Sequence, residues 1–138
     1  MSRIIKTGDT PAKRRRAHLR SCAEVLRLLA TRSTFDEEAQ DMAAFMAFNL
    51  RGVYDTIEES VRAWEDRNYW KKAEDLRHKW LWARTAADDI ETAILANRWS
   101  KVQDLLIGLV PHFVDVNVGK MTRDADWWVG AHAALRRR

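Results

Sequence analysis

The chain has 138 residues, 46% of them hydrophobic, with 24 basic and 20 acidic side chains and a formal charge of +4. This length suits one domain whose core needs neither disulfides nor metal, and a lone cysteine, Cys22, excludes an internal disulfide framework. No apolar leader follows Met1 and no run approaches the ~18 apolar residues of a membrane span, which predicts a cytoplasmic protein with no membrane association.

Only 5 glycines and 2 prolines interrupt the chain, and apolar residues recur at helical rather than alternating spacing. The pattern predicts an all-α protein, an antiparallel up-and-down bundle of about four main helices with a short C-terminal helix. Residues 1–9 read as a flexible basic tail, and residues 10–138 as a single domain with an appendage from about 121 to 138.

Thr10 before Pro11 is a good cap and first position for a helix to about Arg32, burying Leu19, Cys22, Leu26 and Leu29. Thr34 with Glu37 resembles a capping box, opening a long helix whose stripe is Phe35, Ala39, Met42, Met46, Val53, Ile57 and Trp64, with Gly52 a weak point. Asp66, Arg67 and Asn68 mark the reversal into a third helix carrying Ala73, Leu76, Trp80, Ala83, Ala87, Ile90 and Ile94 on one face. Ser100 with Gln103 reads as the next capping box, followed by Val102, Leu105, Leu106, Leu109 and Phe113, with Pro111 ending or kinking the helix. Thr122 and Asp124 then cap a terminal helix that carries Trp127 and Trp128 and closes on Arg136, Arg137 and Arg138.

Seven tryptophans make the chain tryptophan-rich, and two of them, Trp80 and Trp82, point ~160° apart on a helix. If Trp80 lies in the core, Trp82 points away from it and needs a cover of its own. Phe48 poses the same problem on the second helix. Phe48 and Trp82, with the adjacent Trp127 and Trp128, are therefore the candidate protein-interface residues. Burial against the chain's other elements would account for the same pattern.

Residues 1–33 hold nine basic and two acidic side chains, whereas residues 34–66 hold two basic and nine acidic. The ridge of Lys13, Arg14, Arg15, Arg16 and Arg20, assisted by Arg136, Arg137 and Arg138, could bind a DNA or RNA backbone. Alternatively it pairs with Asp55, Glu58 and Glu59 of the second helix. Tyr69, Trp70, Lys71, Lys72, Arg77, Lys79, Trp80, Trp82 and Arg84 interleave rings with cations, as base stacking requires. The helical stripe favours placing Trp70 and Trp80 in the core instead.

No catalytic constellation stands out. Asp75 and Glu74 near His78 lack the second Glu-x-x-His pair of a di-iron bundle, Cys22 sits in an apolar stripe, and there is no glycine-rich phosphate loop or serine elbow. The arginine–histidine spacing of HEPN ribonucleases is missing, since Arg14 and His18 are separated by only three residues. Size, helicity and basic charge are similar to those of the small helical subunits of CRISPR effector complexes, a likeness of architecture without a motif. The chain reads as a non-enzymatic interaction protein without cofactor or metal, a homo-oligomer or a subunit of a larger assembly. The alternative is a sequence-tolerant nucleic-acid-binding accessory protein that uses the first helix.

Overall fold

A computed structural model describes residues 9–138, so most of the basic tail expected at residues 1–9 lies outside the described residues. Among these residues all the regular structure is helical, as the spacing predicts: α1 (Pro11–Ala30), α2 (Glu37–Asp66), α3 (Trp70–Leu95), α4 (Trp99–Leu109), α5 (Ala125–Trp128) and α6 (Ala131–Arg137). No helix of the described residues is long and apolar enough to cross a membrane.

α1 begins where Thr10 and Pro11 place it, with the Thr10 hydroxyl accepting from the Lys13 amide at 3.1 Å. α2 starts later than the Thr34–Glu37 pairing predicts. Asp36 is its cap, accepting from the Ala39 amide at 3.0 Å, and Arg32 clamps the same carboxylate at 2.7 Å. That leaves Glu37 and Glu38 in the first turn, where the positive end of the helix favours them. Asn68 and Asn97 adopt left-handed backbone, with φ of 65° and 56°, at the reversals after α2 and α3.

The Ser100 capping box does not form. α4 already begins at Trp99, and the Gln103 amide turns back to the Trp99 carbonyl at 3.3 Å. Past Leu109 the chain tightens into a single 3-10 turn, Val110–His112, around Pro111. The terminal helix is two pieces: α5 is a single turn capped by Asp124, and Gly130, at φ 83°, breaks it from α6.

Arg14 donates to Glu59, Arg15 to Thr56, and His18 meets Asn49, so contacts descend along α2 as they ascend along α1. Arg77 with Glu58 and Arg51 with Glu91 give α3 the same relation to α2. The larger core gathers Cys22, Val25, Met42, Met46, Leu50, Ile90 and Ile94 with Val102, Leu106, Phe113, Trp128 and Leu135. A smaller cluster, Tyr54, Ile57, Val61 and Ala73 with Trp64, Leu76 and Trp80 against it, closes the end nearest the α2–α3 turn. Cys22 is wholly buried in the larger core, and burial pushes its thiol far up.

Candidate functional site

The basic ridge is largely committed inside the chain. Arg14 grips Glu59 with two bonds of 2.7 and 2.8 Å, Arg15 donates to the hydroxyls of Thr56 and Ser60 at 3.0 Å each, and Arg20 binds Glu24 and the Lys120 carbonyl. Lys13 and Arg16 stay exposed. Of the C-terminal trio, Arg136 donates to the Ile94 carbonyl at 2.8 Å and to the Asn97 side chain at 2.6 Å, and Arg138 reaches Glu91 at 2.8 Å. Arg137 is exposed. Of the acids set opposite the ridge, Glu59 takes Arg14, while Glu58 takes Arg77 at 3.2 Å.

Trp82 finds its cover within the chain. Its indole stacks flat on the His112 imidazole, with centroids 3.9 Å apart and planes 7° from parallel, and meets Phe113 edge-on. It remains half-buried, lining a hollow between α3 and α4 with Leu81, Leu105 and Gly108. Phe48 and Trp127 share a different hollow, formed with His18, Asn49 and Arg123, and Arg123 lies over the Trp127 ring at 4.5 Å. Trp128 is a correction to the interface set: at 4% exposure it is a core residue of its own chain, with its N–H donated to Glu38 at 3.1 Å. The candidate rings therefore divide between two faces and the interior.

Trp70 is a second correction. The stripe predicts it in the core, yet it is 61% exposed, because it is the first residue of α3 and the apolar stripe of α2 has already ended at Trp64. Trp80 is half-buried against the small cluster, with the Arg15 guanidinium 5.9 Å from its ring centroid.

A further exposed apolar surface, made of aliphatic side chains and not rings, lies on α4 and the turn after it. Ile107 is 68% exposed and Val114 64%, and Val110 is also exposed. The hollow beside Ile107 and Val110 is lined by Leu26, Leu29 and Phe35, and a neighbouring one joins Val110 and Val114 to Ala23. The signal was present in the sequence: from Leu105 to Val114 the chain carries no charged residue, with Asp104 and Asp115 as its bounds. Its period is helical, which disguised an over-wide apolar surface as an ordinary core stripe.

The titratable groups are scattered. Among the described residues no three His, Cys, Asp or Glu side chains converge as metal ligands. Desolvation, reinforced by Arg136, holds the His132 imidazole below its ordinary range, and its ring nitrogen accepts from Arg136 at 2.7 Å beneath the edge of Trp99. His18 is tied to Asn49 at 2.8 Å. Compared with known proteins, the chain matches no protein-family model, no curated sequence and no solved structure.

Proposed function

We propose that the protein works by association, as a non-enzymatic homo-oligomer joined through the outer face of α4. The observation that carries this reading is the exposed ridge of Ile107, Val110 and Val114 inside an uncharged segment, bordered by apolar hollows toward α1 and toward α3. A ridge beside a groove on one face is self-complementary: the ridge of one copy can enter the groove of a second related by a two-fold axis. Trp82, Leu81 and Leu105 would then line the receiving groove, which gives Trp82 a place in the interface as well as in its own chain. Phe48 and Trp127 belong to a separate hollow and are not needed for this contact.

Gly108 offers a clean test, because a Cβ built there meets nothing within 4 Å inside the chain. Gly108→Glu and Ile107→Glu should both leave the circular dichroism unchanged. Light scattering across a concentration series should show the wild type as an oligomer and both variants as monomers, the loss of a central anchor being worth ~2 kcal/mol or roughly thirtyfold in Kd. A monomeric wild type at every concentration overturns self-association, and an oligomer indifferent to both substitutions overturns the face.

A further inference from the structure

The α2–α3 turn presents rings and cations that neither the core nor the α4 face uses. We infer that this tip is a base-stacking site for single-stranded nucleic acid, with Trp70 and Tyr69 as the platforms. The Trp70 indole is 61% exposed and the Tyr69 ring 50%. The Tyr69 ring is placed by packing beneath it, and Trp70 follows it as the first residue of α3. Trp64 sits against the small core cluster, Tyr69 meets it edge-on with centroids 5.7 Å apart, and the Tyr69 amide donates to the Trp64 carbonyl at 2.9 Å. A ring fixed from below and open above loses little freedom when a base stacks on it.

Cations stand directly beside these rings. Lys72 lies 4.6 Å from the Trp64 centroid and 5.8 Å from that of Tyr69, and Arg67 lies 6.0 Å from Trp64 on the same turn. Exposed Arg62 and Lys71 flank them. The Arg14–Glu59 and Arg15–Ser60 bonds bring the start of α1 beside the last turns of α2, so that exposed Lys13 and Arg16 join this end of the bundle. Against these stand Glu65 and exposed Glu74, drawn to Arg77 at 3.8 and 3.7 Å, Asp75, paired with Lys71 at 2.9 Å, and exposed Asp66. Cations beside open aromatic faces are what a flexible strand requires: phosphates go to the cations and bases to the rings, with little dependence on sequence. A lipid surface fits less well, because residues 65–72 contain no aliphatic side chain to enter hydrocarbon. A duplex keeps its base faces stacked inside and cannot use the platforms.

The test is anisotropy of labelled twenty-nucleotide strands, RNA and DNA in separate arms, titrated with the full chain at low and near-physiological salt. Parallel arms use the corresponding duplexes and vesicles of phosphatidylcholine with phosphatidylserine. Salt-dependent single-strand binding that exceeds duplex binding supports the site, provided Trp70→Ala weakens it about five- to a hundredfold and Trp70→Phe restores most of it. Trp70 is exposed, so the alanine variant keeps the fold, and it should keep the oligomeric state, which separates this site from the α4 face. Four results overturn the proposal: no binding at low salt, equal binding of duplex, an unaffected Trp70→Ala, or binding of vesicles alone. Loss on Lys13→Ala with Arg16→Ala while Trp70→Ala binds normally overturns it too, by assigning the contact to α1 alone.

Discussion

The imidazole of His18 lies against the bare Cα of Gly52: a Cβ at that position would stand 2.5 Å from His18 Nε2. The ring cannot readily swing away, because Asn49 donates its amide to the Phe45 carbonyl at 2.8 Å and so turns its oxygen toward His18 Nδ1. Gly52 is thus a notch in α2 that admits α1, although in isolation it weakens the helix. Gly52→Ala should destabilise the wild type by about 1–3 kcal/mol through overpacking. In a His18→Ala background the same change should stabilise by ~1 kcal/mol, the ordinary preference for alanine over glycine in a helix. Urea melts of the four proteins measure this reversal of sign, and like signs in both backgrounds would refute the notch.

Glu24 predicts an acid-sensitive joint. It is fully buried, and its carboxylate accepts from the Thr122 amide at 2.6 Å, the Thr122 hydroxyl at 2.8 Å, the Arg123 amide at 2.8 Å and Arg20 at 2.8 Å. Burial alone would raise its pKa, but the Arg123 amide, Arg20 and the two Thr122 donors outweigh it and hold the value down from 4.5 to about 2. A group whose folded pKa is depressed contributes stability that is complete above its unfolded value and is lost as pH falls toward the folded one. Stability should therefore decline between pH 4.5 and about 2 with a component that Glu24→Gln removes. At neutral pH that variant should be less stable by roughly 3 kcal/mol, since charged and backbone donors lose an anionic partner in the interior. Denaturant melts of both proteins at several pH values are the measurement, and parallel pH profiles would count against the joint.

Arg136 closes the C-terminal end of α3, with its guanidinium on the Ile94 carbonyl and the Asn97 side chain, where the negative end of the helix dipole favours a cation. Arg136→Ala should cost ~1.5 kcal/mol. Hydrogen exchange should accelerate in α6 and the last turn of α3 while α1 stays protected. Uniform acceleration throughout would show that the contact has no local role.

Some of this architecture was legible from residue types alone. Thr10–Pro11 marked α1, Asp66–Asn68 marked the reversal, and Met42, Met46, Val53, Ile57, Ala83, Ala87, Ile90 and Ile94 lie buried on the stripes their spacing defines. The start of α2 was misplaced because Thr34 and Asp36 are both good caps, and the choice fell to a clamp from Arg32. Trp70 was misplaced because a periodic stripe does not reveal where the partner helix stops. Glu24 showed locally only its i−4 partner Arg20; Thr122 and Arg123, which complete the joint, are 98 and 99 positions away. The α4 face was visible as an uncharged stretch, but only solvent exposure distinguishes such a face from a core stripe.

The bond between Glu24 and Thr122 also orders events in time. α1 with α2, and α2 with α3, join through neighbours in the chain and can pair as soon as each hairpin has emerged from the ribosome. The carboxylate of Glu24 has then only Arg20 for company and must keep its water. It can be sealed only when residues 122 and 123 arrive, 98 and 99 positions after it. A chain stopped short of Thr122 would be left with an open seam along α1, held apart by an anion that has not found its donors, and such a fragment would be a natural target for proteolysis.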